Sequence, residues 1–170
     1  IDEQVYFKII ADKTASLFAT CTELGATSIT DNGSNAANRE MLRAYGEAVG
    51  IAFQIRDDIF DYEESSGIIG KPVGIDLKEK KLTLPLIHTL SNLEPKEERR
   101  IRSLIKSGKA SDSERRLIIN LVKATGGIEY AKTKAEEYSA AAREAISALP
   151  ESAAKKALMD FTHFVLEREK

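Results

Sequence analysis

The sequence predicts an all-α protein, and two observations carry that expectation. Apolar residues recur at spacings of three, four and seven through nearly every segment, the period of helices that bury one face. Four prolines in 170 residues leave room for long uninterrupted helices. In the first helix Val5, Ile9, Leu17, Phe18, Cys21 and Leu24 form one apolar stripe. Gly25 is its expected stop, and Asp31-Asn32-Gly33 marks a turn. A second long helix is expected from about Ala36 to Tyr62, through Met41, Leu42, Tyr45, Val49, Ala52, Phe53 and Ile55. Gly67, Gly70, Pro72 and Gly74 then interrupt any helix between Glu63 and Lys80, and so long an interruption is mobile or functional. Helical signals resume at Thr83, with Pro85 in the first turn, and run to about Leu90. Pro95 opens a charged helix ending near Gly108. Ser111-Asp112-Ser113-Glu114 is a capping box for the helix that carries Leu117, Ile118, Leu121 and Val122. Gly126-Gly127 separates it from a helix to about Leu149, and Pro150 opens a last one with Leu158, Phe161, Val165 and Leu166 near one face.

Composition narrows the function classes. The chain is long enough for one domain with a real core, and 42% hydrophobic with 31% charged residues is ordinary for a soluble globular protein. A net charge of -2 with both signs interspersed gives no basic stripe for nucleic acid. No apolar run approaches the roughly 20 residues that span a bilayer. The single cysteine, Cys21, has no intramolecular partner, which fits a reducing cytoplasm. The chain begins at Ile1, so a piece of a longer protein is expected.

The most informative stretch is Phe53 to Tyr62. On a helix Gln54, Asp57, Asp58 and Asp61 share one face, and like charges that close repel by a few tenths of a kcal/mol per exposed pair. A hard divalent cation would compensate, since magnesium (Mg2+) is typically held by one or two carboxylates plus substrate phosphates. A solvated acidic face with Arg56 or a nearby lysine as counter-ion is the plainer alternative. The lysine-rich glycine loop from Gly70 to Thr83 comes directly after it; it lacks the P-loop pattern, yet its glycines and lysines suit a phosphate. Read alone, it is equally a surface loop. Lys13-Thr14 interrupts an apolar helical face, where a snorkelling lysine is the simple reading.

Together these pieces resemble the trans-isoprenyl (polyprenyl) diphosphate synthase family. Phe53 through Tyr62 is similar to its second aspartate-rich motif, Phe-Gln-x-x-Asp-Asp-x-x-Asp-Tyr. Gly70 to Leu77 and Lys81 to Leu86 resemble its Gly-Lys-x-x-Gly-x-Asp-Leu and Lys-x-Thr-Leu-Pro-Leu patterns, and Lys13 to Ala15 its Lys-Thr-Ala motif. Lys80 departs from the family, which more often has glycine there. The resemblance implies the C-terminal helices of an antiparallel isoprenoid-synthase bundle, usually a homodimer. It implies condensation of isopentenyl diphosphate with an allylic diphosphate. Asp57, Asp58 and Asp61 would serve magnesium, with Asp57 the direct ligand. Lys13, Lys71 and Lys81 would bind the allylic diphosphate; Thr14 and Gln54 would face the reacting carbon, and Phe53 would support the pocket wall. His88 and His163 read as structural or surface residues.

The same resemblance implies that residues 1–170 form the C-terminal portion of one domain. The first aspartate-rich motif and the basic residues for isopentenyl diphosphate would lie in an N-terminal half outside this sequence. The chain alone is then expected to be inactive and to expose apolar surface. The Leu-Pro-Leu stretch points toward longer-chain, octaprenyl-synthase-like members. The rival readings are a non-catalytic partner subunit of such a synthase and a helical interaction module without a ligand.

Overall fold

A computed structural model describes residues 1–28, 35–63 and 74–168, and all regular structure among them is helical. The helices are α1 (Glu3–Ile10), α2 (Ser16–Thr27), α3 (Asn35–Phe60), α4 (Ile75–Lys78), α5 (Leu84–Ser91), α6 (Pro95–Ser107), α7 (Asp112–Ala124), α8 (Gly127–Ala145) and α9 (Ala153–Glu167). A π-helical turn, Ala11–Ala15, joins α1 to α2. The expected turn at Asp31-Asn32-Gly33 lies outside the described residues. No described helix is long and apolar enough to cross a membrane.

The chain forms two compact units, and the points at which the sequence passes from one to the other fall within α1, α3 and α8. One unit comprises residues 7–56 and 134–169. Here α2 and α3 run antiparallel, because Ala15 meets Gly50, Ala19 meets Gly46, and Thr22 donates to the Leu42 carbonyl at 2.6 Å. A Cβ on Gly50 would stand 2.5 Å from Ala15 Cα, and one on Gly46 would stand 2.8 Å from Ala19 Cα. The two glycines therefore let the helix backbones touch. Glu23 ties the open end of this pair to Arg39 and Arg43, both at 3.1 Å. Those two hydrogen-bonded guanidiniums hold its carboxyl below the usual carboxylate range. The core packs Tyr45, Val49 and Ala52 of α3 against Ala142, Ile146 and Val165.

The other unit comprises residues 1–6 and 57–133. Leu84, Leu86 and Leu90 of α5 are fully buried, as is Val122 of α7. The capping box forms as expected: Ser111 and Glu114 exchange hydrogen bonds with each other's backbone. Pro95 sits in the first turn of α6, and Gly108 closes it in the left-handed region.

Three local expectations are corrected. The stripe of the first helix is not the buried one: Val5, Ile9, Leu17 and Leu24 are 44–65% exposed, while Tyr6, Ile10, Ala15, Ala19 and Ala26 are buried. The π turn rotates the residues after it out of a 3.6-residue register. The contact face is also built from alanines because α3 offers glycines there. Gly25 does not stop α2, which continues to Thr27. Pro150 precedes α9 rather than opening it; Ser152 is the N-cap and accepts from the Lys155 amide at 3.1 Å. The large apolar residues Ile9, Leu17, Leu24, Leu117 and Phe164 are among those exposed.

Two outcomes test this packing. Gly50→Ala gains about 1 kcal/mol of helix propensity but drives a methyl into the Ala15 backbone, which cannot swing aside as a side chain would. Overpacking of about 1–3 kcal/mol wins, so the urea midpoint falls. Tyr45 is buried, and burial pushes its phenol up to about 12; its hydroxyl donates to the Leu158 carbonyl at 2.8 Å. A raised folded pKa gives stability that is complete below the unfolded value of about 10 and is lost as pH rises through 12. Tyr45→Phe is therefore less stable at neutral pH by about 1–2 kcal/mol, and its denaturation midpoint declines less steeply than the parent's between pH 10 and 12.

Candidate functional site

The aspartate segment lies where α3 ends. Asp57 and Asp58 occupy its last turn, and Asp61 stands just beyond Phe60, in the turn closed by the Tyr62 amide on the Ile59 carbonyl at 2.9 Å. Asp58 and Asp61 are buried, and Asp57 is half-buried. Like charges so placed need compensation, and the fold supplies part of it. Tyr6 donates its hydroxyl to Asp58 Oδ2 at 2.7 Å. Burial first, and Asp58 second, push the Tyr6 phenol far above its ordinary range, so it remains a donor. Asp61 accepts from the amides of Ile75 and Asp76, each at 2.9 Å, and its carbonyl accepts from Gly74 at 3.0 Å. The third aspartate thus fastens the start of α4. Behind it, Tyr62 and Thr83 share a hydrogen bond at 2.9 Å, and burial raises the Tyr62 phenol strongly.

Among the described residues, no three Asp, Glu, His or Cys side chains are grouped as they would be around a metal ion held by protein alone. The donor chemistry nevertheless suits a hard cation held by one or two carboxylates and completed by phosphate oxygens. Asp57 and its neighbour Asp58 meet that requirement.

Lys81 is half-exposed and bonded to Glu79 at 2.6 Å and Asp76 at 3.1 Å. Those hydrogen bonds, Glu79 first, raise its ammonium above the usual range. It is therefore charged at any working pH. Lys80 has φ of 62°, in the left-handed region where glycine is favoured, and its side chain runs against Gly108. This gives the departure at Lys80 a physical meaning: the backbone asks for glycine and lysine occupies the position. Gly70 and Lys71 lie outside the described residues.

In the other unit, the π turn carries Lys13, which is exposed, and Thr14, which donates to Gln54 Oε1 at 2.8 Å. The Gly50–Ala15 approach brings this pair within reach. Phe53 is half-buried and contacts the Phe18 ring, 5.3 Å away, and the Arg168 guanidinium, 3.8 Å from its ring centre. The residue that sequence reading missed in this unit is Arg168; in the other it is Tyr6. Tyr6 lies seven positions before Lys13, which a straight helical wheel would not relate to the aspartates at all. His88 stacks on Tyr130 at 4.0 Å and His163 is exposed, both in keeping with structural or surface roles.

The family profile described as Polyprenyl synthetase matches residues 1–122. The chain belongs to the polyprenyl synthetase family. It is 37% identical over 98% of its length to the all-trans-nonaprenyl-diphosphate synthase (geranyl-diphosphate specific) of Rhodobacter capsulatus, covering 49% of that protein. Among solved structures it resembles a geranylgeranyl pyrophosphate synthase of Bacteroides thetaiotaomicron, with 40% identity and a TM-score of 0.88 over 98% of this chain and 54% of that one. It equally resembles a polyprenyl synthase of Caulobacter crescentus CB15 complexed with calcium and isoprenyl diphosphate, with 32% identity and a TM-score of 0.88 over 99% of this chain and 50% of that one. The chain spans about half the length of the curated relatives it matches. Among polyprenyl synthetases, a glycine at position 80 suits the observed backbone. Lys80→Gly relieves about 1–2 kcal/mol of left-handed strain against about 0.5–1 kcal/mol of glycine entropy. The variant is expected to unfold at higher urea by about 0.5–1 kcal/mol in a denaturation curve.

Proposed function

We propose that this chain is the C-terminal half of a trans-polyprenyl diphosphate synthase. The protein would condense isopentenyl diphosphate with an allylic diphosphate. The observation that carries the reading is the intact aspartate segment of α3, with Asp58 and Asp61 held by the fold's own donors, in a chain of this family. Asp57, flanked by Asp58 and Asp61, would hold magnesium on the allylic diphosphate. Bound there, the cation supplies neutralisation of the departing diphosphate.

The chain's own residues would do the remainder. Lys13, Lys71 and Lys81 would bind phosphate oxygens as charge collects on the leaving group. Lys81 would exchange Asp76 and Glu79 for phosphate. The allylic carbon–oxygen bond breaks with its electron pair leaving on diphosphate. The Thr14 and Gln54 dipoles would steady the allylic cation, and Phe53 would support the wall beside them. The double bond of isopentenyl diphosphate then attacks, and the released diphosphate takes the proton lost from the adjacent carbon, so no protein base is required. The first aspartate-rich motif and the isopentenyl diphosphate site would lie in the N-terminal half. Homodimer assembly in a reducing cytoplasm belongs to the same reading, for which the exposed apolar residues Leu17, Cys21 and Leu24 of α2 are suited.

The test is magnesium-dependent transfer of labelled isopentenyl diphosphate to geranyl or farnesyl diphosphate. The full-length protein should be active and residues 1–170 alone inactive. Asp57→Ala should lower kcat by about 10²–10³-fold, the scale of losing one preorganised electrostatic contact. Full activity in Asp57→Ala, or none in the full-length protein, sinks the assignment.

A further inference from the structure

Phe53 is gripped from outside its own helix. Arg168 comes after the last residue of α9 and leaves the helical conformation, with ψ of 140°. Its guanidinium carbon stands 3.8 Å over the centre of the Phe53 ring, and its Nη2 donates to the Phe53 carbonyl at 3.0 Å. In return, Arg56 donates Nη2 to the Arg168 carbonyl at 3.3 Å. One planar group thus holds ring and backbone of the same residue, while Arg56 holds the backbone that carries it. A second support is Phe18, whose ring is 5.3 Å from that of Phe53 at 44°. The next residue along α3 is Gln54, which meets Thr14 of the π turn at 2.8 Å. A lysine could supply the charge but not the flat fork that meets ring and carbonyl together.

We propose that Arg168 is a positioning residue for the prenyl-transfer reaction: by clasping Phe53 it fixes the rotation of α3 that aims the Gln54 carboxamide. This rests on the functional reading above. In this proposal Arg168 acts through Phe53, the residue its guanidinium meets at both ring and carbonyl. Removing it lets Gln54 drift from the reacting carbon, and a misplacement near 1 Å can cost about 10²-fold in rate. The defect falls on kcat, because the phosphate-binding residues are untouched.

The experiment compares Arg168→Ala and Arg168→Lys with the parent in the full-length protein. Expected are a kcat lower by about 10- to 100-fold, an unchanged KM for the allylic diphosphate, and partial recovery of Arg168→Ala by millimolar guanidinium ion. Arg168→Ala combined with Gln54→Ala should cost no more than Gln54→Ala alone. A kcat equal to the parent's, or losses that multiply in the double variant, overturns the proposal. If Arg168→Ala does not fold, Arg168→Lys carries the same comparison. A second readout is independent of activity. The side-chain amide resonances of Gln54 in nitrogen-15-labelled protein should move in the Arg168 variants, and unmoved resonances also overturn the clasp. An inactive parent with moved Gln54 resonances would remove the functional reading and leave the clasp standing.

Discussion

The close approach of α2 and α3 at Gly46 and Gly50 is the constraint on which the unit around Gln54 depends. Helix axes ordinarily stand about 8–10 Å apart, a spacing set by the side chains between them. Where both partners offer glycine or alanine, the backbones touch, and short side chains can then reach across. Thr14 and Gln54 meet only under that condition, as do Thr22 and the Leu42 carbonyl. A shorter interaxial distance thus becomes a polar pair set into an otherwise apolar seam. The π turn contributes the other half: it shifts Lys13 and Thr14 off the register of α1, so one continuous run of helix presents two different faces.

In the other unit the governing problem is electrostatic. Buried carboxylates are costly unless hydrogen-bonded or paired. The solution divides the labour. Asp58 receives a tyrosine hydroxyl that burial keeps protonated, and Asp61 receives two backbone amides. Asp58 and Asp61 are thereby oriented by donors that belong to the fold itself.

Much of this was legible in the sequence because helical period and capping chemistry are local. The capping box at Ser111, the proline-led α5 and α6, and the cluster ending α3 are written in adjacent residues. What could not be read depends on long-range approach. The buried stripe of α2 is made of alanines, invisible to a search for large apolar residues, and its partner glycines lie some thirty positions away. Tyr6 and Arg168 reach across 52 and 115 positions to Asp58 and Phe53, and no spacing rule links them. Lys80 shows the reverse case. Its departure from the family pattern marked a backbone demand at that position, which the left-handed φ displays.

The fastening of Asp61 to Ile75 and Asp76 has a consequence for how this region can change over evolution. Two amide hydrogens meet the two oxygens of one side chain, so the position needs an acceptor at both ends and no donor. Aspartate meets that need, whereas asparagine would turn an N–H toward an N–H. The carboxylate is therefore kept by the fold's own demand as well as by any ligand it serves. A descendant that had lost its ligand would still lose stability on losing Asp61, so an acid at this place outlasts the chemistry it accompanies.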